Sequence, residues 1–416
     1  MEKEVFIKYE SNVRSYCRKW PVVMKKAKGS IYYDEDNNEY IDFFNGAGAL
    51  NYGHNPDFIK ERLIKYLEED YIMHSLDMYA FAKRDFISFY QDKILKPRGY
   101  NYKIMFSGPT GTNAVEMALK LARKVKKRNN VFAFMGAFHG MTLGSLALTT
   151  ESAARNGAGI SLNNVTHIPT PYYLNNTFDT LSYLEEILND DHSGIDKPCA
   201  MIIETVQAEG GIHVFSNEFL QGLRAICDKH DILLIIDDIQ TGCSRTGTFF
   251  SFERANIIPD IVVQSKSIGG YGTPLALVLI KEELDKFNPG EHNGTFRGFQ
   301  LSMVSAKAAL ELTIDKDIPK EVKRKEKIVE DFLNKEIKPL LSGKQEIRGI
   351  GLIWGIEFID GVLARKVLDK CFEKKLIIEL AGRNDSVLKI MPSLLIEDEL
   401  LIKGLTIIKD AMKEVM

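Results

Sequence analysis

The chain of 416 residues is poor in cysteine and tryptophan, with five of the first and two of the second. Cys17, Cys199, Cys227, Cys243 and Cys371 lie far apart with no Cys-x-x-Cys spacing, which excludes a disulfide framework and leaves no cysteine-based zinc site. They read as ordinary core or surface thiols. Long apolar runs are missing as well. Plainly apolar strings such as 275–280 fall far short of the roughly 18 residues a membrane-spanning helix needs. The N-terminus alternates charged and apolar residues and lacks the apolar stretch of a secretory signal, so a cytoplasmic location is expected. Neither charge is in excess: 54 Lys+Arg stand against 57 Asp+Glu, a formal charge of −3. Phosphate-backbone binding calls for a basic surplus, so neither nucleic acid nor membrane is an expected partner.

What is present is a globular composition, 45% hydrophobic and 27% charged, in a chain long enough for two domains. Through its middle, short apolar runs alternate with amphipathic stretches in a βαβ rhythm. Residues 103–106, 131–134, 200–203, 232–236, 261–263 and 275–280 are apolar on both faces, as buried parallel strands are. After Gly111 the positions Ala114, Ala118, Leu121 and Val125 recur at helical spacing, and Ser216 is placed to cap a helix carrying Phe219, Leu223, Ile226 and Cys227. Residues 32–44 read as two β-rich runs around an Asp/Asn turn. From about Ile318 a charged helix with a solvated face leads to shorter strands near 351–358 and 388–390, then to a terminal helix. The expected fold class is α/β: a mainly parallel central sheet with helices on both faces, spanning 59–310, beside a smaller α+β domain built from 1–58 and 311–416.

The most informative residues stand at strand ends. Lys266, between Ser265 and Ser267, follows a buried strand and precedes a glycine-rich turn where backbone can approach a ligand closely. A desolvated lysine has a lowered pKa and becomes a nucleophile toward a carbonyl, although a lone lysine in such a place is more often a snorkelling surface residue. Asp237 and Asp238 end a wholly apolar strand 29 residues upstream, at the sheet edge where open α/β folds bind ligands. A cap or a metal ligand would be alternatives, but no His, Cys or further carboxylate follows at ligand spacing. Pyridoxal phosphate needs such a pair, a lysine for its aldehyde and an acid to keep its pyridine nitrogen protonated. Ser107-Gly-Pro-Thr-Gly-Thr-Asn-Ala-Val-Glu116 joins a strand to a helix whose first N–H groups could face a phosphate. Gly136-Ala-Phe-His-Gly-Met-Thr142 then sets Phe138 and His139 in a glycine-bounded loop, with Phe138 able to stack on a planar ring.

Together these segments resemble the fold type I, class III aminotransferases that use pyridoxal phosphate, from about Arg14 to the terminal helix. The most specific parts are Asp237-Asp-Ile-Gln-Thr-Gly-Cys-Ser-Arg-Thr-Gly247 and the Ser-Lys-Ser segment. Within that family, Arg14-Ser-Tyr-Cys17, Gly46-Ala-Gly-Ala-Leu-Asn-Tyr-Gly-His54 and Gly290-Glu-His-Asn-Gly-Thr-Phe-Arg-Gly298 are similar to the diaminobutyrate–2-oxoglutarate transaminases, which supply the first step of ectoine synthesis. The resemblance implies that Lys266 holds the cofactor and shuttles a proton, and that Asp237 binds the pyridine nitrogen. It further implies that Gln240 approaches the ring hydroxyl, that Phe138 stacks on the ring, that His139 is a further cofactor-binding residue, and that Gly111 and Thr112 bind the phosphate with Thr295 of a neighbouring subunit, in a homodimer. Glu209 matches a gating glutamate. Met141 and Lys389 stand where many ω-aminotransferases carry arginine, and Glu209 and Lys389 are expected to pair in the resting enzyme. The implied reaction moves an amino group from glutamate to aspartate 4-semialdehyde, giving 2,4-diaminobutyrate and 2-oxoglutarate. The alternative is another ω-aminotransferase acting on ornithine, 4-aminobutyrate or a similar terminal amine. A catalytically silent relative would be expected to lack Lys266 or Asp237, and both are present. Gly46-x-Gly48 lacks the third glycine of a nicotinamide-binding turn.

Overall fold

Strands apolar on both faces can be buried only in the interior of a layered structure, with helices covering each side. The computed structural model describes residues 3–343 and 345–416 and has this arrangement at its centre. Seven strands lie in the order Tyr102–Phe106, Leu277–Lys281, Ile261–Gln264, Leu233–Asp237, Ala200–Ile203, Val131–Phe134 and Val165–Ile168. Alternation along them feeds two cores. Ala133, Ile202, Ile235 and Val263 pack to one side with the helix Gly111–Lys126, while Phe134, Ile203, Ile236 and Val262 pack to the other with the helix Asn217–Lys229. The first helix is capped by Thr110, whose hydroxyl accepts the Asn113 N–H, and the second by Ser216, whose hydroxyl accepts the Phe219 N–H.

Two features differ from the sequence reading. The run expected as a parallel strand over 275–280 is Leu277–Lys281, antiparallel to both neighbours. Two-sided apolarity reports burial and not direction, and the connection from Gln264 holds only the short turn Lys266–Gly269 in place of the crossover helix a parallel pair requires. The edge strand Val165–Ile168 was not expected, because with one neighbour and partial exposure it needs no continuous apolar run.

The chain ends meet in two smaller sheets. Ile31–Asp34 and Glu39–Asp42 pair antiparallel about a turn closed by the Asp34 carboxylate, which accepts the Asp36 and Asn38 N–H groups. Leu376–Ile377 then adds in parallel to Glu39–Asp42, so residues more than 330 apart share one sheet. The other sheet runs Ile347–Ile350, Ile353–Glu357, Val387–Ile390 and Glu379–Ala381, antiparallel throughout. The charged helix Ile318–Phe332 is less solvated than its composition suggests. Lys325 shares the buried face of Val322 and Val329 and donates to the Leu394 carbonyl at 2.9 Å. Among the described residues no helix is long and apolar enough to cross a membrane, and Cys17 is exposed while the other four thiols are buried.

Arg245 ties these parts together. Fully buried, it donates from Nη1 to the Leu352 and Pro392 carbonyls and from Nη2 to Asn51 Oδ1. Burial pushes its pKa down to about 9. Arg245→Ala would leave a cavity and three acceptors without their donor, so it is expected to cost about 3–5 kcal/mol, read as a lowered thermal unfolding midpoint.

Candidate active site

Asp237 ends the strand Leu233–Asp237, and its parallel neighbour Ile261–Gln264 delivers Lys266 two residues beyond its own end. Both therefore reach the carboxyl edge of the sheet. Lys266 has φ 51°, a left-handed conformation that an L-residue holds only when its surroundings enforce it. Its ammonium pairs with no side chain among the described residues. Burial lowers its pKa from the usual lysine value.

The two adjacent aspartates part company. Asp238 turns away from the cleft and accepts the Ser251 N–H, and burial raises its pKa to about 7. Asp237 turns inward, where Oδ2 meets His139 Nδ1 at 2.7 Å and Oδ1 accepts the Ile239 N–H at 3.2 Å. His139 is itself held by its backbone N–H, which donates to Thr149 Oγ1. It thus bears on Asp237 from behind.

These groups open into a cleft of about 250 Å³ whose walls include Gly111, Thr112, Phe138, His139, Glu209, Asp237, Gln240 and Lys266. The fold therefore brings eight of the residues singled out above to one place. Gly111 and Thr112 begin a helix of 16 residues, so the positive end of its dipole faces the cleft. Thr112 Oγ1 lies 2.6 Å from Thr142 Oγ1, and a Cβ at Gly140, where φ is 132°, would come within 2.5 Å of that Thr112 oxygen. Gln240 donates from Nε2 to the Ala47 carbonyl and to Glu209 Oε1, which leaves its buried Oε1 facing no partner. Lys389 lies behind Glu209 with Nζ 2.6 Å from Oε1. Thr295 does not line this cleft within its own chain; it stands on the turn Thr295–Gly298, and its carbonyl accepts from His74 Nε2.

Three further groups belong to this region. Glu204 lines the cleft and accepts the Phe138 N–H, and burial, then the charge of Asp237, raise its pKa well above the carboxylate range, which favours the neutral acid. Glu379 lies 2.8 Å from Lys389 Nζ. The Tyr16 phenol has its pKa raised to about 12 by burial, then by Glu379 and Glu209. The signal for both glutamates was a lone acid within an apolar run, Ala200-Met-Ile-Ile-Glu204 and Leu376-Ile-Ile-Glu-Leu-Ala381. Such an acid needs a partner or a proton.

A lysine and an aspartate facing one cleft, with a helix N-terminus at its far side, define a pyridoxal-phosphate enzyme of the fold type I class. The family model for class III aminotransferases matches residues 14–412, and the chain belongs to that family. It is similar to the diaminobutyrate–2-oxoglutarate transaminase of Halalkalibacterium halodurans, 51% identical over 99% of this chain and 96% of the relative, and to that of Bordetella parapertussis, 48% identical over 100% and 96%. Among solved structures, ornithine aminotransferase from Toxoplasma gondii superposes with a TM-score of 0.85 at 25% identity, covering 99% of this chain and 94% of that one. A transaminase from the marine bacterium Virgibacillus shares the fold at a TM-score of 0.89 and 21% identity, over 100% and 98%.

The cofactor of the family is pyridoxal phosphate, and the residues present fit it. A free lysine amine suits the aldehyde, the inward Asp237 carboxylate suits a protonated ring nitrogen, and the unpartnered Gln240 Oε1 can accept a hydrogen bond from the ring hydroxyl. Gly111 and Thr112 offer amides to a phosphate.

Proposed function

We propose that the protein transfers the amino group of L-glutamate to L-aspartate 4-semialdehyde, giving L-2,4-diaminobutyrate and 2-oxoglutarate, as a cytoplasmic homodimer. The observation that carries this reading is the convergence on one cleft of Lys266, Asp237 and Glu209, with Lys389 paired behind Glu209. The kinship of about half identity over the full length supports the choice of substrates. When bound, pyridoxal phosphate supplies an aldehyde that takes up the amino group and a ring that accepts the electron pair left at carbon. Lys266 Nζ would hold that aldehyde at rest and, once the amine of the donor had displaced it, would be the free base that takes the proton from the amino-bearing carbon and, in the second half-reaction, the acid that returns one to the carbon of the acceptor. Asp237, oriented by His139, would keep a proton on the ring nitrogen. Gly111 and Thr112 would hold the phosphate, and Phe138, whose N–H is held by Glu204, would pack on the ring. Lys389 would receive a carboxylate of the substrate when Glu209 gives way, while the aldehyde end of the other substrate needs no second cation, which suits Met141 in its place.

Residues 59–310 serve in this scheme as the cofactor domain, and 1–58 with 311–416 as the smaller one. Packing of Ile41 and Phe43 with Ile356, Leu376 and Leu405 supports that division. The exposed side chains of Ile72, Met78, Tyr79 and Phe296, close to Thr295, are the face we assign to the second copy.

The test is product identification. Cofactor-loaded enzyme is expected to lose its visible absorbance band on adding glutamate and to yield 2,4-diaminobutyrate with aspartate 4-semialdehyde. A wild-type enzyme untouched by glutamate, or one turning over fastest on 4-aminobutyrate or ornithine, overturns the assignment.

A further inference from the structure

Two carboxylates hold Lys389, Glu209 at 2.6 Å and Glu379 at 2.8 Å. They are not equivalent. Glu379 stands directly opposite Lys389 in the antiparallel pairing of Glu379–Ala381 with Val387–Ile390, so their contact is set by sheet register. Glu209 comes from the loop after Val206–Gln207, and its side chain is 32% exposed, against 3% for Glu379 and 0% for Lys389. The Glu209 backbone is anchored to the small sheet, its carbonyl accepting the Gly382 N–H at 2.9 Å, so any turn is made by the side chain, whose Oε1 would give up Lys389 Nζ and Gln240 Nε2 together. A wholly buried ammonium that lost its single partner would be strongly destabilised. With Glu379 in place, Lys389 never loses its last one.

We propose that Glu379 is a positioning residue for dicarboxylate binding: it keeps Lys389 in the sheet as a stationary cation, so that Glu209 alone turns aside when a carboxylate of glutamate or 2-oxoglutarate takes its place. This rests on the glutamate reading above. One carboxylate replaces another on the same ammonium, and Lys389 does not travel. Glu379 Oε1 contacts the ammonium at 2.8 Å as an ion pair, while the hydrogen bond of Lys389 Nζ goes to Glu209 Oε1 at 2.6 Å and is the one an incoming carboxylate takes over. The charges agree with this division. Burial raises the pKa of Glu379, whereas Glu209, despite burial, is held below the usual range by Lys389 and then Lys266. Glu209 thus carries the negative charge that an incoming carboxylate restores. The in-sheet carboxyl group also suits lysine here, since a single ammonium lacks the fork by which arginine fixes itself on two acceptors.

The experiment uses cofactor-loaded enzyme and glutarate, a five-carbon dicarboxylate without an amino group, titrated by calorimetry. Glu379→Ala is expected to weaken glutarate about tenfold and to raise KM for glutamate by a like factor, with kcat within about twofold of wild type. Glu379→Gln, which keeps an oxygen for the ammonium, recovers most of that loss. Glu209→Gln is expected to move the other way, tightening glutarate by about threefold, because the group it must displace has lost its charge. Two equivalent carboxylates would shift glutarate in the same direction, and that result, an unchanged affinity in Glu379→Ala, or no glutarate binding to wild type overturns the proposal. If glutamate is not a substrate the functional assignment falls, while the opposite signs of the two glutarate shifts still decide the role of Glu379.

Discussion

Lys266→Ala is expected to lower turnover by about 10,000-fold, the upper range for removing a positioned acid–base group. The same substitution removes the amine we propose to hold the cofactor, so the visible absorbance band should be lost or displaced together with the rate. The structure makes rescue by a conservative change improbable in physical terms. The lysine amine is lowered in pKa by burial and pairs with no side chain among the described residues, which leaves it free to gain and lose a proton. Lys266→Arg would put a permanent cation there, unable to act as base or to join a carbonyl, and should be as inactive as alanine. A Lys266→Ala enzyme retaining more than about one-hundredth of wild-type single-turnover rate with glutamate would remove this residue from the chemistry.

Asp237→Asn carries the second largest expected effect, a fall of about 100- to 1,000-fold in the rate of the glutamate half-reaction. The reason is electrostatic. A buried carboxylate stabilises a protonated ring nitrogen as no neutral amide can, and breaking such a buried pair costs about 3–5 kcal/mol. Asp237 is held by the His139 ring at 2.7 Å and the Ile239 N–H at 3.2 Å, so asparagine can keep much of the geometry while losing the charge. Cofactor content measured beside the rate separates weaker binding from slower chemistry. Asp238→Asn is the contrast, since that side chain turns away toward Ser251, and the rate should stay within about tenfold of wild type.

The local pattern of residues was enough to place most strands and the two capped helices and to bring Lys266 and Asp237 to attention, and both line one cleft. Burial on both faces writes itself into short apolar runs, caps into serine and threonine, and strand ends into the residues that follow. Direction and proximity are not local in this way. Nothing in 275–280 distinguishes an antiparallel strand from a parallel one, and nothing in Leu376-Ile-Ile-Glu-Leu names the lysine ten residues on as the partner of Glu379. That pairing depends on register between strands. The family resemblance already named Asp237 ahead of Asp238, but the physical reason lies in packing: side chains alternate about the end of a strand, and the contacts with His139 and Ser251 show which one faces the cleft. Composition and motif therefore determined the class of protein and pointed to Lys266 and Asp237. Folding across long separations decided which side chains meet at one cleft, how Arg245 joins segments around residues 51, 352 and 392, and why Lys389 has two partners.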